Sequence, residues 1–157
     1  MFGLTNLGVV HTLISLVAVA TGAMALIRDG KITWENSLGK TYVISTIIVC
    51  VTGFGIFQHG GFGKPHALGI ITLVVLVVIW AASKKNLGKL SPYIETIGYS
   101  LTFFFHIVPG ITETATRLPL DAPLAASPDD PGIQMWIGIS FVLFLIGATL
   151  QARKLRA

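Results

Sequence analysis

The chain predicts an all-α integral membrane bundle of five transmembrane helices, and three observations carry that prediction. Of its 157 residues, 53% are hydrophobic and only 11% are charged, where a soluble domain carries about 25% charged residues. The apolar residues lie in long unbroken blocks, not at the spacing of an amphipathic helix. Lysine and arginine then collect at alternate ends of those blocks, the pattern that orients membrane proteins. A chain this apolar could not cover its surface with polar groups in water. One transmembrane domain therefore takes up residues 1–157.

The first block, residues 3–27, is long enough at about 1.5 Å per residue to cover a hydrocarbon core of about 30 Å. No basic n-region precedes it, so it reads as a retained helix and not a cleaved signal. Residues 28–40 follow as a polar loop with Asp29–Gly30 as a turn signal. The second span is 41–58. A short glycine-rich link, 59–65, makes spans two and three antiparallel neighbours. Pro65 is placed to open the third span, 66–83. After the basic loop 84–90, Ser91 as cap and Pro92 as first residue begin span four, 92–112. The longest loop, 113–131, is rich in proline, alanine and aspartate. The fifth span, 132–150, is closed by Arg153, Lys154 and Arg156.

Five spans put the termini on opposite sides. Loops one and three and the C-terminus hold nine of the eleven basic residues; the other side holds only Lys64 and Arg117. The positive-inside rule then predicts a cytoplasmic C-terminus and an outer N-terminus, in a bacterial inner membrane. Trp80 near an inner end and Trp136 near an outer end fit interfacial belts. The net charge of +4 is thus accounted for by loop charges, and the lipid bilayer, not nucleic acid, is the expected partner. The single cysteine, Cys50, lies inside an apolar run and reads as a small buried hydrophobe. Span glycines, among them Gly22, Gly53, Gly98, Gly138 and Gly147, read as positions of close helix packing.

This topology gives all four histidines the same outer half. By helix rise, His11 and His106 lie about 10 Å below the outer surface, whereas His59 and His66 flank the link between spans two and three. Two histidines at equal depth on helices one and four suit a bis-histidine haem b, with Lys64 and Arg117 to meet its propionates. Alternatively, His11, His59, His66 and His106 could bind zinc or copper, with Glu113 adding an oxygen ligand. The competing reading is plain: a neutral histidine that hydrogen-bonds a neighbouring helix, or an interfacial one at a helix end. A covalently attached haem is not expected, because no C-x-x-C-H motif is present.

Pro109 should kink span four and free a carbonyl near Phe105. Glu113 and Arg117 stand four apart in the favourable order for a helical ion pair. That pair is either a solvated outer turn or the mouth of a site for a quinone or lipid headgroup. Phe103–Phe105 reads as packing surface. No nucleophile–base set and no phosphate-binding glycine loop occurs, so hydrolase and kinase chemistry are not expected.

The runs Leu38-Gly39-Lys40-Thr41-Tyr42, Thr52-Gly53, His66 and 106–119 (HIVPGITETATRLP) resemble a family of small bacterial multi-span membrane proteins catalogued as a domain of unknown function. The resemblance covers spans one to four and implies a small helical bundle, with no established chemistry. In that family a histidine–arginine pair precedes the second span; here the place reads Trp34-Glu35-Asn36-Ser37. A weaker, fold-level likeness to two-haem membrane cytochromes also holds, although those proteins place histidines at both faces.

Three functions follow as expectations. The first is a redox-carrier module holding haem b or a metal between helices one and four, exchanging electrons with a quinone. The second is a non-catalytic accessory subunit of a larger membrane complex or homo-oligomer. A small transporter or proton path is the third.

Overall fold

A computed structural model describes residues 5–57, 61–85 and 87–156. The described residues are 79% helical and contain no strand. The helices are α1 (Asn6–Asp29), α2 (Ser37–Gly53), α3 (Lys64–Ser83), α4 (Ser91–Arg117) and α5 (Pro131–Arg156), with a 3₁₀ turn at Gly88–Leu90 before α4. Four helices are long and apolar enough to cross a membrane; α2, at 17 residues, is shorter. That length sits at the low end of the spanning range of about 17–25 residues.

Local chemistry sets the boundaries. Thr5 caps α1 by accepting from the Gly8 amide at 3.1 Å. Gly30 ends it with a left-handed φ of 70°, and its amide returns to the Leu26 carbonyl. Asn36 caps α2 through a 2.9 Å bond from the Gly39 amide, so this helix starts four residues before the expected Thr41. It also ends earlier than expected, at Gly53 and not at residue 58. In α4 the correction runs the other way. The helix passes through Pro109 and continues to Arg117, so Glu113–Arg117 is a last helical turn and not the start of the outer loop. Proline removes only its own donor; beyond it, the Thr112 and Thr116 hydroxyls bond back to the Val108 and Thr112 carbonyls, and Glu113 pairs with Arg117.

Successive helices pack side by side in antiparallel order, and α1 also touches α4. The far end of α5 therefore returns to the far end of α1, where Gln151 Nε2 donates to the Gly30 carbonyl at 3.0 Å. The core joins Ala18 and Ala25 of α1, Tyr42 and Val43 of α2, Leu76 and Ile79 of α3, and Tyr99 of α4. Glycines let the backbones approach. A Cβ at Gly22 would stand 2.6 Å from Phe103 and 2.9 Å from Tyr42, and one at Gly98 would stand 2.7 Å from Ile79. Gly138 and Gly147 of α5 differ, with nothing within 4 Å of that position. The expected close packing thus holds for inner helices and fails at these two glycines of α5, which is seated on α4 through Phe104, stacked on Phe144 and tilted against Phe141. Elsewhere α5 exposes Met135, Trp136, Leu143 and Leu150.

The tightest approach lies in the link from α1 to α2, where the Thr33 carbonyl oxygen sits 1.8 Å from where a Gly39 Cβ would be. A backbone atom cannot rotate away as a side chain can. Gly39→Ala should therefore cost about 3 kcal/mol or more. Gly138→Ala and Gly147→Ala should leave thermal unfolding in mild detergent unchanged. Equal melting temperatures for all three variants would refute this account of the link.

Candidate functional site

Helix α2 carries the polar seam of the bundle. Tyr42 and Thr46 are fully buried on it, and Thr52 lies half-buried near its end. A threonine inside an apolar helix bonds back to the carbonyl one turn earlier. Thr46 does so to Tyr42 at 2.8 Å, and Thr52 to Ile48 at 2.8 Å. Thr102 of α4 likewise donates to the Tyr99 carbonyl at 2.8 Å. A hydroxyl has one proton, so each of these oxygens meets any further partner as an acceptor.

That rule assigns the histidines. His106 Nε2 lies 3.0 Å from Thr46 Oγ1, so Nε2 carries the proton and donates. His11 Nδ1 lies 3.0 Å from Thr52 Oγ1 and donates in the same way. By the same argument the Tyr42 hydroxyl donates to Thr102 Oγ1 at 2.8 Å. All three bonds join different helices. Both deep imidazoles thus bond to α2. His106 is 9% exposed and packs edge-on against Tyr42; His11 is half-buried against Gly53. With those protons assigned, the other ring nitrogen, Nε2 on His11 and Nδ1 on His106, is the one that carries a lone pair.

His66 has a separate setting. Its Nδ1 accepts from the Gly63 amide at 3.2 Å, which closes the first turn of α3. Phe57 and Phe62 stack on the ring, with centroids at 5.1 and 5.2 Å. Nε2 then carries the proton, yet it is buried with no partner among the described residues. Such an unmet donor costs about 1–3 kcal/mol. His59 lies outside the described residues.

The expected cations have carboxylate partners. Lys64 pairs with Asp129 at 3.0 Å in an exposed bridge, and Arg117 pairs with Glu113. No group of three or more His, Cys, Asp or Glu among the described residues is arranged to hold a metal ion. Two open clefts lie on the surface. One runs between α3 and α4, the other along α5, and neither is lined by a histidine. Sequence reasoning named the histidines but missed Thr46 and Thr102, and quoted Thr52 only within a resemblance and with no role. The available signal was a hydroxyl within an otherwise apolar run, in a medium that offers it no water. Compared with known proteins, the chain matches no family model, no curated protein and no solved structure.

Removing the acceptor at position 46 should strand a buried N–H. Thr46→Val is expected to destabilise by about 0.5–2 kcal/mol, the range of interhelical bonds in membranes. Thr52→Val should cost less, because His11 is half-buried. In a double-mutant cycle, Thr46→Val should cost little once His106 is leucine. Strict additivity, measured by thermal unfolding in one detergent, would count against the bond.

Proposed function

We propose that this chain is a non-catalytic accessory module of a membrane assembly, in which the deep histidines fasten helices and perform no chemistry. The observation that carries the reading is the pair of interhelical bonds, His11 to Thr52 and His106 to Thr46. A neutral imidazole in hydrocarbon needs a partner for its N–H, and each of these has found one on α2. Helix α5, packed chiefly on α4, tied to the end of α1 through Gln151 and widely exposed along its other sides, offers the area for a partner's helices. The nine-to-two distribution of basic residues supports a cytoplasmic C-terminus and an outer N-terminus, in a bacterial inner membrane.

One observation favours a second reading, the redox or metal carrier. Each ring keeps one lone pair, Nε2 on His11 and Nδ1 on His106. The Nδ1–H bond of His11 is the arrangement that orients metal-binding histidines. A bis-histidine haem b suits this geometry poorly, because His106 presents the nitrogen beside its own Cβ, where a flat macrocycle would crowd the helix. Haem ligation would require His106 to leave Thr46. Copper or zinc needs no such turn, but Glu113 or a ligand from outside would have to complete the shell.

The deciding measurement is an absorption spectrum of protein purified in mild detergent, oxidised and dithionite-reduced, with metal content determined on the same sample. The accessory reading expects no visible band and no stoichiometric metal. It also expects His11→Ala and His106→Ala to lower the melting temperature alone. A sharp reduced α-band that disappears in His106→Ala, or copper at one ion per chain that disappears in His11→Ala, would replace it by the carrier reading.

A further inference from the structure

The cleft between α3 and α4 has a shape and a setting that the helix-fastening role does not use. It encloses about 340 Å³ and presents no polar surface. Val75, Val78 and Ile79 line one wall; Tyr93, Ile97 and Leu101 line the other. Its floor is the close approach of Ile79 to Gly98, where the missing side chain lets the two helices touch below and stay parted above. Within an apolar helix pair, the molecule that reaches such a groove is hydrocarbon.

The end of this hairpin supplies the second half of the argument. The groove residues occupy the last turns of α3 and the first turns of α4, so the groove opens beside the turn that joins them. That turn carries Lys84, Lys85 and Lys89, all exposed. Elsewhere, Arg28, Lys64 and Arg117 each have a carboxylate partner within their own chain, while Lys31, Lys40, Arg153, Lys154 and Arg156 have none among the described residues; what sets the turn apart is its place at the mouth of the groove. Among the described residues, the three lysines of the turn pair with none; Lys84 instead lies over the Trp80 ring at 5.9 Å. An apolar channel thus ends at a cluster of uncompensated positive charge.

We infer that the α3–α4 groove is a binding site for an anionic phospholipid, one acyl chain lying along Val78, Ile97 and Leu101 and the headgroup phosphate meeting Lys84, Lys85 and Lys89. Tyr93, on the groove wall in the first turn of α4, stands at the boundary between chain and headgroup. The site distinguishes headgroups by charge and takes the chain by shape. Each lysine near an anionic headgroup contributes about fivefold in affinity, so three give a preference of roughly 100-fold over a zwitterionic lipid at low salt. This preference falls as salt rises, because the lysines are exposed.

The test titrates the purified full chain with phosphatidylglycerol and, separately, with phosphatidylcholine of identical acyl chains, counting bound lipid by native mass spectrometry. The wild type should retain phosphatidylglycerol far more tightly. The triple variant Lys84→Gln/Lys85→Gln/Lys89→Gln should bind the two lipids alike. Val78→Trp, a half-exposed groove position that bears no fold-critical contact, should weaken both lipids and leave the melting temperature of the lipid-free protein unchanged. A control triple, Lys31→Gln/Lys40→Gln/Lys154→Gln, removes the same charge from the same end of the bundle and should keep the preference. If both triples lose the preference equally, or Val78→Trp binds as the wild type does, the groove is not the site and the effect is diffuse surface charge. Neither result bears on the histidine bonds, so this proposal can fail without the accessory reading failing.

Discussion

The structure turns on one constraint: in an apolar interior a polar group is costly unless it finds a partner within the protein. Helix α2 is where this chain meets it. Thr46 and Thr52 return their protons to their own helix and offer their oxygens to His106 and His11. Tyr42 completes the set by donating to Thr102, whose proton is likewise given to its own helix. Three bonds of one design therefore tie α1, α2 and α4 together. Their direction is forced, because a hydroxyl already donating can only accept.

Those bonds are short enough to form only because the helices come close. Gly22 lets Phe103 and Tyr42 press against α1, and Gly53 makes room for the His11 ring. The polar seam and the small residues are thus two aspects of one fit. Away from the seam the packing changes character. Helix α5 meets α4 through phenylalanine rings, and its mid-helix Gly138 and Gly147 face open space. A Gln151 side chain, bonded to Ser100 and to the Gly30 carbonyl, pins one end of it. The bundle therefore grades from a hydrogen-bonded interior to a helix held mainly by aromatic contact.

The histidines show how position and chemistry separate. Equal depth is a property of numbering along helices, and it placed His11 and His106 at one level. Whether two rings face each other or face a third helix depends on rotation about each helix axis, and here both turn to α2. The lone pairs left on His11 Nε2 and His106 Nδ1 are consequences of that rotation. So is the different state of His66, whose Nδ1 accepts a backbone amide while its Nε2–H remains unmet between two phenylalanines.

Composition and block length by themselves determined the helical class, the number of helices and their antiparallel order. These follow from solvation: a run of apolar residues of a given length has one stable form in a membrane. Asp29–Gly30 was read as a turn, and Gly30 does end α1; the Thr5 and Asn36 caps obey equally local rules but were overlooked. The end of α4 was placed at residue 112, five residues short, because hydroxyls and an ion pair beyond Pro109 sustain the helix to Arg117. The tertiary structure alone decided which helix receives the histidine protons, which glycines are contacts and which are bare, and where the α3–α4 groove opens. Each of these depends on the angle at which a side chain leaves its helix relative to a neighbour about sixty or forty residues away in the chain. No spacing within a single helix specifies that angle.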